Sequence, residues 1–346
     1  MENNNNLTIL VQRLLDSNTI GELSKDLNVA VGTIKRWIDN DNTPESYRFE
    51  LMNLLGIKIN YSEYNFKSKD QFFTPIDTAI SCINKFKSTL IGYGENPDAF
   101  TYIEPSAGAG NFLINLPIGR RIGMDIEPRH DEIIKCNFFD WIPPSDDKYI
   151  VIGNPPFGLR GQLALKFINR ASTFADYVAF ILPQLFASDG KGVPRKRVTD
   201  LNLVCSEAIP CNFTDPSGNI TKVQCIFQIW SKYHSNSEYD LTPIDTSLLN
   251  VYSLSDGGTS STTRNKKMFG KCDVYIPSTC YGKHNMRSYD NFEELPGRKG
   301  YGIVFNKNKD ANISKFKNID WSLVAFLSTN SAYNIRTTQI MGQFST

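Results

Sequence analysis

Tyr102-Ile103-Glu104-Pro105-Ser106-Ala107-Gly108-Ala109-Gly110-Asn111-Phe112 begins as an apolar strand, closes on an acid, and runs through small residues into an apolar helix start. Small side chains let a ligand approach the backbone closely, and loops at the carboxyl ends of strands form the binding crevice of open α/β sheets. A tight strand-to-helix connection would have the same composition. Asp125 separates the two readings: it closes the next apolar run, 21 positions after Glu104. That is near the roughly 20-residue spacing at which an acid reaches ribose hydroxyls in nucleotide-binding α/β folds. Nothing in the loop resembles a phosphate-binding Gly-x-x-x-x-Gly-Lys-Ser/Thr turn. Glu104 would repel phosphate and suit a cationic amino-acid group, so the ligand carries a ribose and a positive charge but few phosphates.

Outward from this loop, residues 72–233 alternate short β-type runs with helical stretches, the pattern of an open, mostly parallel α/β sheet. Strands are expected at 101–104, 121–125, 149–153 and 177–182. A later pair, near 203–209 and 223–230, flanks the turn-rich Asp215-Pro216-Ser217-Gly218-Asn219 and predicts an antiparallel hairpin closing one edge. The third strand runs straight into a rigid turn, Tyr149-Ile150-Val151-Ile152-Gly153-Asn154-Pro155-Pro156-Phe157-Gly158. The two prolines fix φ and remove two N–H donors, so nearby carbonyls are left to face a ligand. Transfer to an aromatic amine is difficult because the nitrogen lone pair is delocalised into the ring. If the Asn154 side-chain oxygen and the Pro155 carbonyl each accept one N–H, the lone pair is directed at an electrophilic methyl group, and Phe157 can stack on the ring. A strand-terminating structural turn is the plain alternative.

The chain has 346 residues and a net charge of +1, ordinary for a soluble globular protein of two or three domains. No apolar run approaches the roughly 20 residues that span a bilayer, and the N-terminus lacks the order of a signal peptide, so a cytoplasmic location is expected. Seven scattered cysteines, no Cys-x-x-Cys pair and three histidines support neither a disulfide framework nor a metal site. Residues 7–57 read as short amphipathic helices, with Leu7, Leu10, Val11, Leu14 and Leu15 at helical spacing. Within them, residues 19–38 resemble a helix-turn-helix. Ser24 would stand where the helices approach, Asn28 at the turn, Val29 and Ile34 in the shared core, and Thr33, Lys35 and Arg36 free on the second helix. A helical bundle for packing or dimerisation is the other reading, since residues 1–60 carry six Lys and Arg against eight Asp and Glu. Residues 251–346 carry 13 against seven, so electrostatics favours this end for a phosphate backbone. A polar stretch, 255–261, precedes that basic, tyrosine-rich segment, whose fold does not follow from its pattern.

Taken in order, these motifs resemble the N6-adenine class of DNA methyltransferases, whose signature is Asp, Asn or Ser followed by Pro-Pro and an aromatic residue. The resemblance runs from about Phe72 to Trp230. It implies S-adenosylmethionine as cofactor, with Thr74 of Asp70-Gln71-Phe72-Phe73-Thr74-Pro75 over its methionine end, Glu104, Ser106 and Gly108 in the cofactor loop, and Asp125 on the ribose. Asn154 borders both cofactor and target. Asn137 and Phe138, in Cys136-Asn137-Phe138-Phe139-Asp140-Trp141, would meet the cofactor adenine; similar enzymes usually have Asp where this chain has Asn137. Asn154, Pro155, Pro156 and Phe157 become the catalytic turn. Phe213 is either the second aromatic stacking on a flipped adenine or a core residue. Arg195-Lys196-Arg197, near Gly190 and Gly192, is either a basic loop contacting DNA phosphates or a solvated charge run.

The implied organisation is a helix-turn-helix-like domain over 1–60, a Rossmann-like catalytic domain over 61–235, and a basic target-recognition region over 236–346. Tyr275, Tyr281, Tyr289 and Tyr301 interleave with the cations of that last region. The resemblance implies DNA as substrate, with base flipping, in a restriction-modification setting. A cognate restriction endonuclease and a homodimer are the partners it allows. Rival readings are a protein-glutamine or ribosomal RNA methyltransferase, whose targets are also planar nitrogens, and a helix-turn-helix regulator with a non-catalytic methyltransferase domain. More than 110 residues follow Trp230, where such rivals usually end.

Overall fold

The computed structural model describes residues 6–344 apart from 28, 67, 70, 189–193, 240–246, 259–261 and 328–330. Asn28, Asp70, Gly190, Gly192 and the last part of the 255–261 stretch therefore lie outside the described residues.

Seven strands form the central sheet: β1 Thr101–Glu104, β2 Arg121–Asp125, β3 Ile133–Lys135, β4 Tyr149–Gly153, β5 Tyr177–Pro183, β6 Asn202–Thr214 and β7 Ile220–Ser231. Their order is β3-β2-β1-β4-β5-β7-β6. β1 to β5 are mutually parallel, β7 runs antiparallel to β5, and β6 pairs antiparallel with β7. This is a Rossmann-like, mostly parallel sheet with an antiparallel hairpin at one edge. β4 is buried at every residue, as expected of a parallel strand covered on both faces.

The period-2 alternation of side chains sorts the sheet onto two helices. Tyr102, Ile150, Ile152, Ala179 and Ile181 pack with Ile83, Phe86 and Leu90 of α5, Ile76–Gly92. Ile103, Val151, Val178 and Phe180 pack with Leu165, Ile168 and Ala171 of α6, Gln162–Ser172. Strand order reverses between β1 and β4: one branch runs outward through β2 and β3, the other through β5. In open α/β sheets the ligand crevice lies outside the carboxyl ends of the strands at such a switch point. Those ends are Glu104 and Gly153, so the small-residue loop and the Asn-Pro-Pro-Phe turn adjoin.

β6 and β7 run several residues further than the apolar pattern indicates. The Asp215 carboxylate accepts the N–H groups of Ser217 (2.8 Å) and Asn219 (2.9 Å), which fixes the turn and lets polar residues pair up to it. Along β7, residues 220–224 alternate between exposed and half-buried, and every residue from Cys225 on is buried. Only the second half of β7 lies against β5, so the tip projects past the sheet. β3, three residues long, gave too short a pattern to be anticipated.

Before the sheet lie α1 Leu7–Leu15, α2 Ile20–Asp26, α3 Val31–Asp39 and α4 Arg48–Leu54, sharing a core of Leu7, Val11, Leu23, Ile34, Trp37 and Leu51. Thr19 and Glu22 form a capping box at the start of α2. The Ser24 hydroxyl donates to the Val29 carbonyl at 2.6 Å, tying α2 to the turn that precedes α3, and Lys35 and Arg36 are exposed on α3. Lys166 of α6 pairs with Glu50 of α4 at 2.6 Å.

After the sheet, β8 Leu249–Ser255, β9 Val274–Pro277 and β11 Lys299–Phe305 form an antiparallel sheet in the order β8-β11-β9. β10 Thr279–Tyr281, β12 Phe326–Leu327 and β13 Ala332–Asn334 form a second. With α7 Lys309–Asn318, α8 Trp321–Val324 and α9 Thr337–Gly342 they enclose a core around Ile276, Phe305, Phe316 and Trp321. No described helix is long and apolar enough to cross a membrane.

Candidate active site

Two loops meet at the switch point, where the Ser106 hydroxyl donates to the Asn154 carbonyl at 3.2 Å. Glu104, at the end of β1, is 3% exposed, and its Oε2 accepts the Leu113 N–H at 2.7 Å. Burial holds its carboxyl well above the usual carboxylate range, and the Leu113 N–H only partly offsets this. Gly108 has φ +49°, and a Cβ there would lie 3.1 Å from the Phe73 ring, so the loop fits a small residue in this conformation. The Gly108 N–H donates to Asp125 Oδ2 and the Glu127 N–H to Asp125 Oδ1, both at 2.8 Å. Burial raises the Asp125 pKa in spite of these two bonds. Each carboxylate oxygen keeps lone-pair capacity for a further donor, such as a ribose hydroxyl.

The segment before α5 closes over this loop. Phe73 exchanges backbone hydrogen bonds with Thr214 at the end of β6 (2.8 and 3.0 Å), the Thr74 carbonyl accepts from Asn111 Nδ2 at 2.7 Å, and the Arg129 guanidinium sits 5.3 Å from the centre of the Phe73 ring. Lys69 pairs with Glu127 at 2.7 Å.

On the other side of the Asn-Pro-Pro-Phe turn lies a small pocket lined by Phe72, Asn154, Pro155, Pro156, Phe157, Phe213, Thr221 and Val223. Phe213, named above as stacking or core, is 3% exposed and meets Phe157 edge-on with ring centres 6.4 Å apart. It belongs to both descriptions: buried, and a wall of the pocket. Asn154 Oδ1 is buried and has no hydrogen-bond partner among the described residues. Thr221 is the other polar side chain on the wall.

Three sequence-derived assignments change. Phe138 is 2% exposed and stacks on Phe167 with ring centres 5.4 Å apart, so its ring serves the core and is not offered to a ligand. Asn137 is exposed; its Oδ1 accepts the Phe139 N–H at 3.2 Å and its Nδ2 donates to Asp140 Oδ2 at 3.1 Å, so its side chain shapes the turn after β3. The Arg195-Lys196-Arg197 run lies in the 3-10 turn Pro194–Arg197. There Arg197 Nη1 donates to Gln162 Oε1 at 2.8 Å and Arg195 is engaged within the protein, which leaves Lys196 exposed. A basic loop with three cations aimed outward is not what the described residues form. Thr221 and Val223 carry no motif, and Phe72 falls in a motif that points to the cofactor and not to this pocket. Thr221 is the cross-strand partner of Phe213, so knowing the hairpin register would have found it.

No family model and no curated protein matches this chain. Among solved structures, a protein from Pyrococcus horikoshii assigned as an RNA methyltransferase aligns at 16% identity over 47% of this chain and 86% of its own, with a TM-score of 0.35. A modification subunit of an assigned type I restriction enzyme from Vibrio vulnificus YJ016 aligns at 13% identity over 68% of this chain, TM-score 0.31. A chain of a type I restriction-modification system aligns at 14% over 66%, TM-score 0.28. This chain spans 59% and 61% of the length of those last two. The fold is defined by this chain's own strand order and register.

Proposed function

We propose that this chain transfers a methyl group from S-adenosylmethionine to the N6 amine of adenine in DNA. The observation that carries the reading is Asn154 Oδ1, a buried acceptor without a partner on the wall of an aromatic pocket. Leaving such a group unsatisfied costs about 1–3 kcal/mol, and a ligand N–H at that point removes the penalty. Asn154 Oδ1 and the Pro155 carbonyl would accept the two amine N–H groups and draw the nitrogen lone pair out of conjugation. Phe157 and Phe213 would hold the ring plane. Their present edge-on contact leaves no room between the rings, so a base enters by turning one of them. A stacked base cannot reach this enclosed site, so a duplex substrate is flipped.

The residues of the adjoining crevice fit the cofactor. The Ser106-to-Gly110 loop supplies close backbone approach, Asp125 lone pairs for ribose hydroxyls, and buried Glu104 a carboxyl, held toward its protonated form by burial, that a cationic amino group would draw into its ionised form. The cofactor supplies the electrophilic methyl group when bound. The region after Trp230 would recognise DNA, which favours this reading over an RNA or glutamine target. The test is incubation with tritiated S-adenosylmethionine and DNA, followed by nucleoside digestion. Label in N6-methyladenine is expected; label only in RNA or peptide would sink the reading, and no transfer at all would favour a regulator.

A further inference from the structure

The 13 cations of residues 251–346 are not equivalent once their surroundings are compared. Lys283 pairs with Asp320, Arg298 with Asp256, Lys309 with Asp273 and Lys317 with Asp290. Arg287 and Lys315 lie over the rings of Tyr289 and Phe344. Exposed Lys299 and Lys307 also have no ion-pair partner among the described residues, but they stand eight positions apart, whereas the connection from β8 to β9 groups its cations. Between Asp256 and Asp273 there is no acidic residue, while Arg264, Lys266, Lys267 and Lys271 fall within eight positions. All four are exposed, and none has an ion-pair partner among the described residues.

Residues 264–272 of this connection are anchored. Ser255 and Arg264 exchange backbone hydrogen bonds at 3.3 and 2.8 Å, and Asn265 Nδ2 donates to the Ser253 carbonyl at 2.7 Å. Asn265 takes the left-handed conformation, which asparagine accepts readily, and opens the short turn Lys266–Met268. Phe269 then stacks on buried Phe292 with ring centres 3.8 Å apart, and Met268 and Cys272 pack on the same cluster. The apolar residues hold the connection down, and the cations alternate with them on the outside. Four like charges held this way repel one another, and no acid in the segment relieves them. The positive potential also reaches inward, where the guanidiniums of Arg264 and Arg336 favour the ionised form of half-buried Tyr301 against its burial.

We infer that the β8–β9 connection, through Arg264, Lys266, Lys267 and Lys271, is the phosphate-backbone contact of this protein on duplex DNA. The inference rests on the DNA reading above and gives it a location: the backbone grip belongs to this connection and not to Arg195-Lys196-Arg197. Phosphate neutralisation of this kind releases counterions, so each cation engaged steepens the salt dependence of binding and adds affinity without regard to sequence.

The test is fluorescence-anisotropy titration of the full chain with a random-sequence duplex at several NaCl concentrations. Neutralising all four (R264Q, K266Q, K267Q and K271Q) should flatten the plot of log K against log salt by about 3 to 4, near 0.9 for each phosphate no longer neutralised. K267Q alone, least disturbing to the fold, should flatten it by about one. A matched variant neutralising ion-paired Lys283, Lys309 and Lys317 should leave the slope close to wild type. If the wild type binds duplex and the four-site variant keeps its slope, the location is wrong and the DNA reading stands. If the wild type does not bind duplex, both fall.

Discussion

The Ser106 hydroxyl spans the switch point to the Asn154 carbonyl, and this 3.2 Å bond is a direct tie between the loop after β1 and the turn after β4. If the first loop holds the methyl donor and the second the acceptor, their separation sets the transfer distance. Ser106→Ala should cost about 0.5–1.5 kcal/mol of stability, the usual worth of one hydrogen bond. Turnover should fall more than the melting temperature implies, because small misplacements at a reacting centre are costly. Equal, small losses in both would make the bond merely structural.

Asn154 offers a contrast between activity and stability. Its Oδ1 is desolvated in the folded protein without compensation, so Asn154→Ala removes a penalty and should leave the urea midpoint equal to or above that of wild type. Turnover should drop on the order of 100-fold or more, as for other preorganised hydrogen-bond groups, while S-adenosylmethionine binding stays within a few-fold. Near-normal turnover would refute the catalytic assignment.

Glu104 makes a pH prediction. Its folded-state pKa stands above the unfolded one, so the native protein holds this proton more tightly. The associated stability is fully present below about pH 4 and is lost as pH rises toward the raised value. Glu104→Gln stays neutral and can still accept the Leu113 N–H. It should match wild type near pH 4 and be increasingly more stable at neutral and higher pH in urea titrations. If Glu104 also faces the cofactor's amino group, the variant binds S-adenosylmethionine about tenfold more weakly, the worth of one charge-assisted bond. A stability difference that does not change with pH would mean the carboxyl is not titrating as its burial dictates.

Asn137 divides the resemblance from the geometry. An Asp facing the cofactor adenine would tighten binding several-fold. In this structure, however, Asn137→Asp would remove the bond from Nδ2 to Asp140 and set two carboxylates side by side. The expected outcome is S-adenosylmethionine affinity changed by less than about twofold, because exposed charge interactions are weak. A small loss of stability at neutral pH should be regained in acid, where one of the pair is protonated. Calorimetric titration decides; tightening beyond that limit would restore the assignment to the cofactor.

Much of this architecture was legible because its signals are local. β1, β2 and β4 match the apolar runs residue for residue, since parallel strands buried on both faces leave no polar interruption. The juxtaposition of Glu104 with Asn154 depends on the pairing of β1 with β4, which the apolar runs do not give. What stayed hidden depends on pairing at a distance. Phe138 and Phe139 are adjacent aromatic residues, and only packing against Phe167 shows that the Phe138 ring is buried while Phe139, meeting Phe167 edge-on, stays exposed. The two small sheets after residue 248 have short strands and polar connections, so their apolar periodicity is weak. Gln184 illustrates the limit: its side chain accepts from the Leu327 N–H and donates to Gln224 Oε1, both at 3.2 Å, joining the last region to the hairpin across 143 positions.

Thr221 is the pocket residue that this long-range pairing reveals, and it sets the most specific test. If Asn154 Oδ1 and the Pro155 carbonyl take the amine as proposed, a buried adenine still presents acceptor nitrogens beside it, N1 and N7. Such an acceptor, enclosed without a donor, costs about 1–3 kcal/mol. Phe72, Pro156, Phe157, Phe213 and Val223 have no side-chain donor, which leaves the Asn154 amide nitrogen and the Thr221 hydroxyl, and the hydroxyl is the donor that does not belong to the catalytic amide. Thr221→Val keeps the shape and removes the hydroxyl. It should lower kcat/KM for an adenine-containing duplex by roughly tenfold, about 1.4 kcal/mol. On duplexes carrying 1-deazaadenine or 7-deazaadenine at the target, the variant should show no further loss with the one that lacks the contacted nitrogen, which identifies it. Equal losses on all three substrates would mean that Thr221 only shapes the pocket.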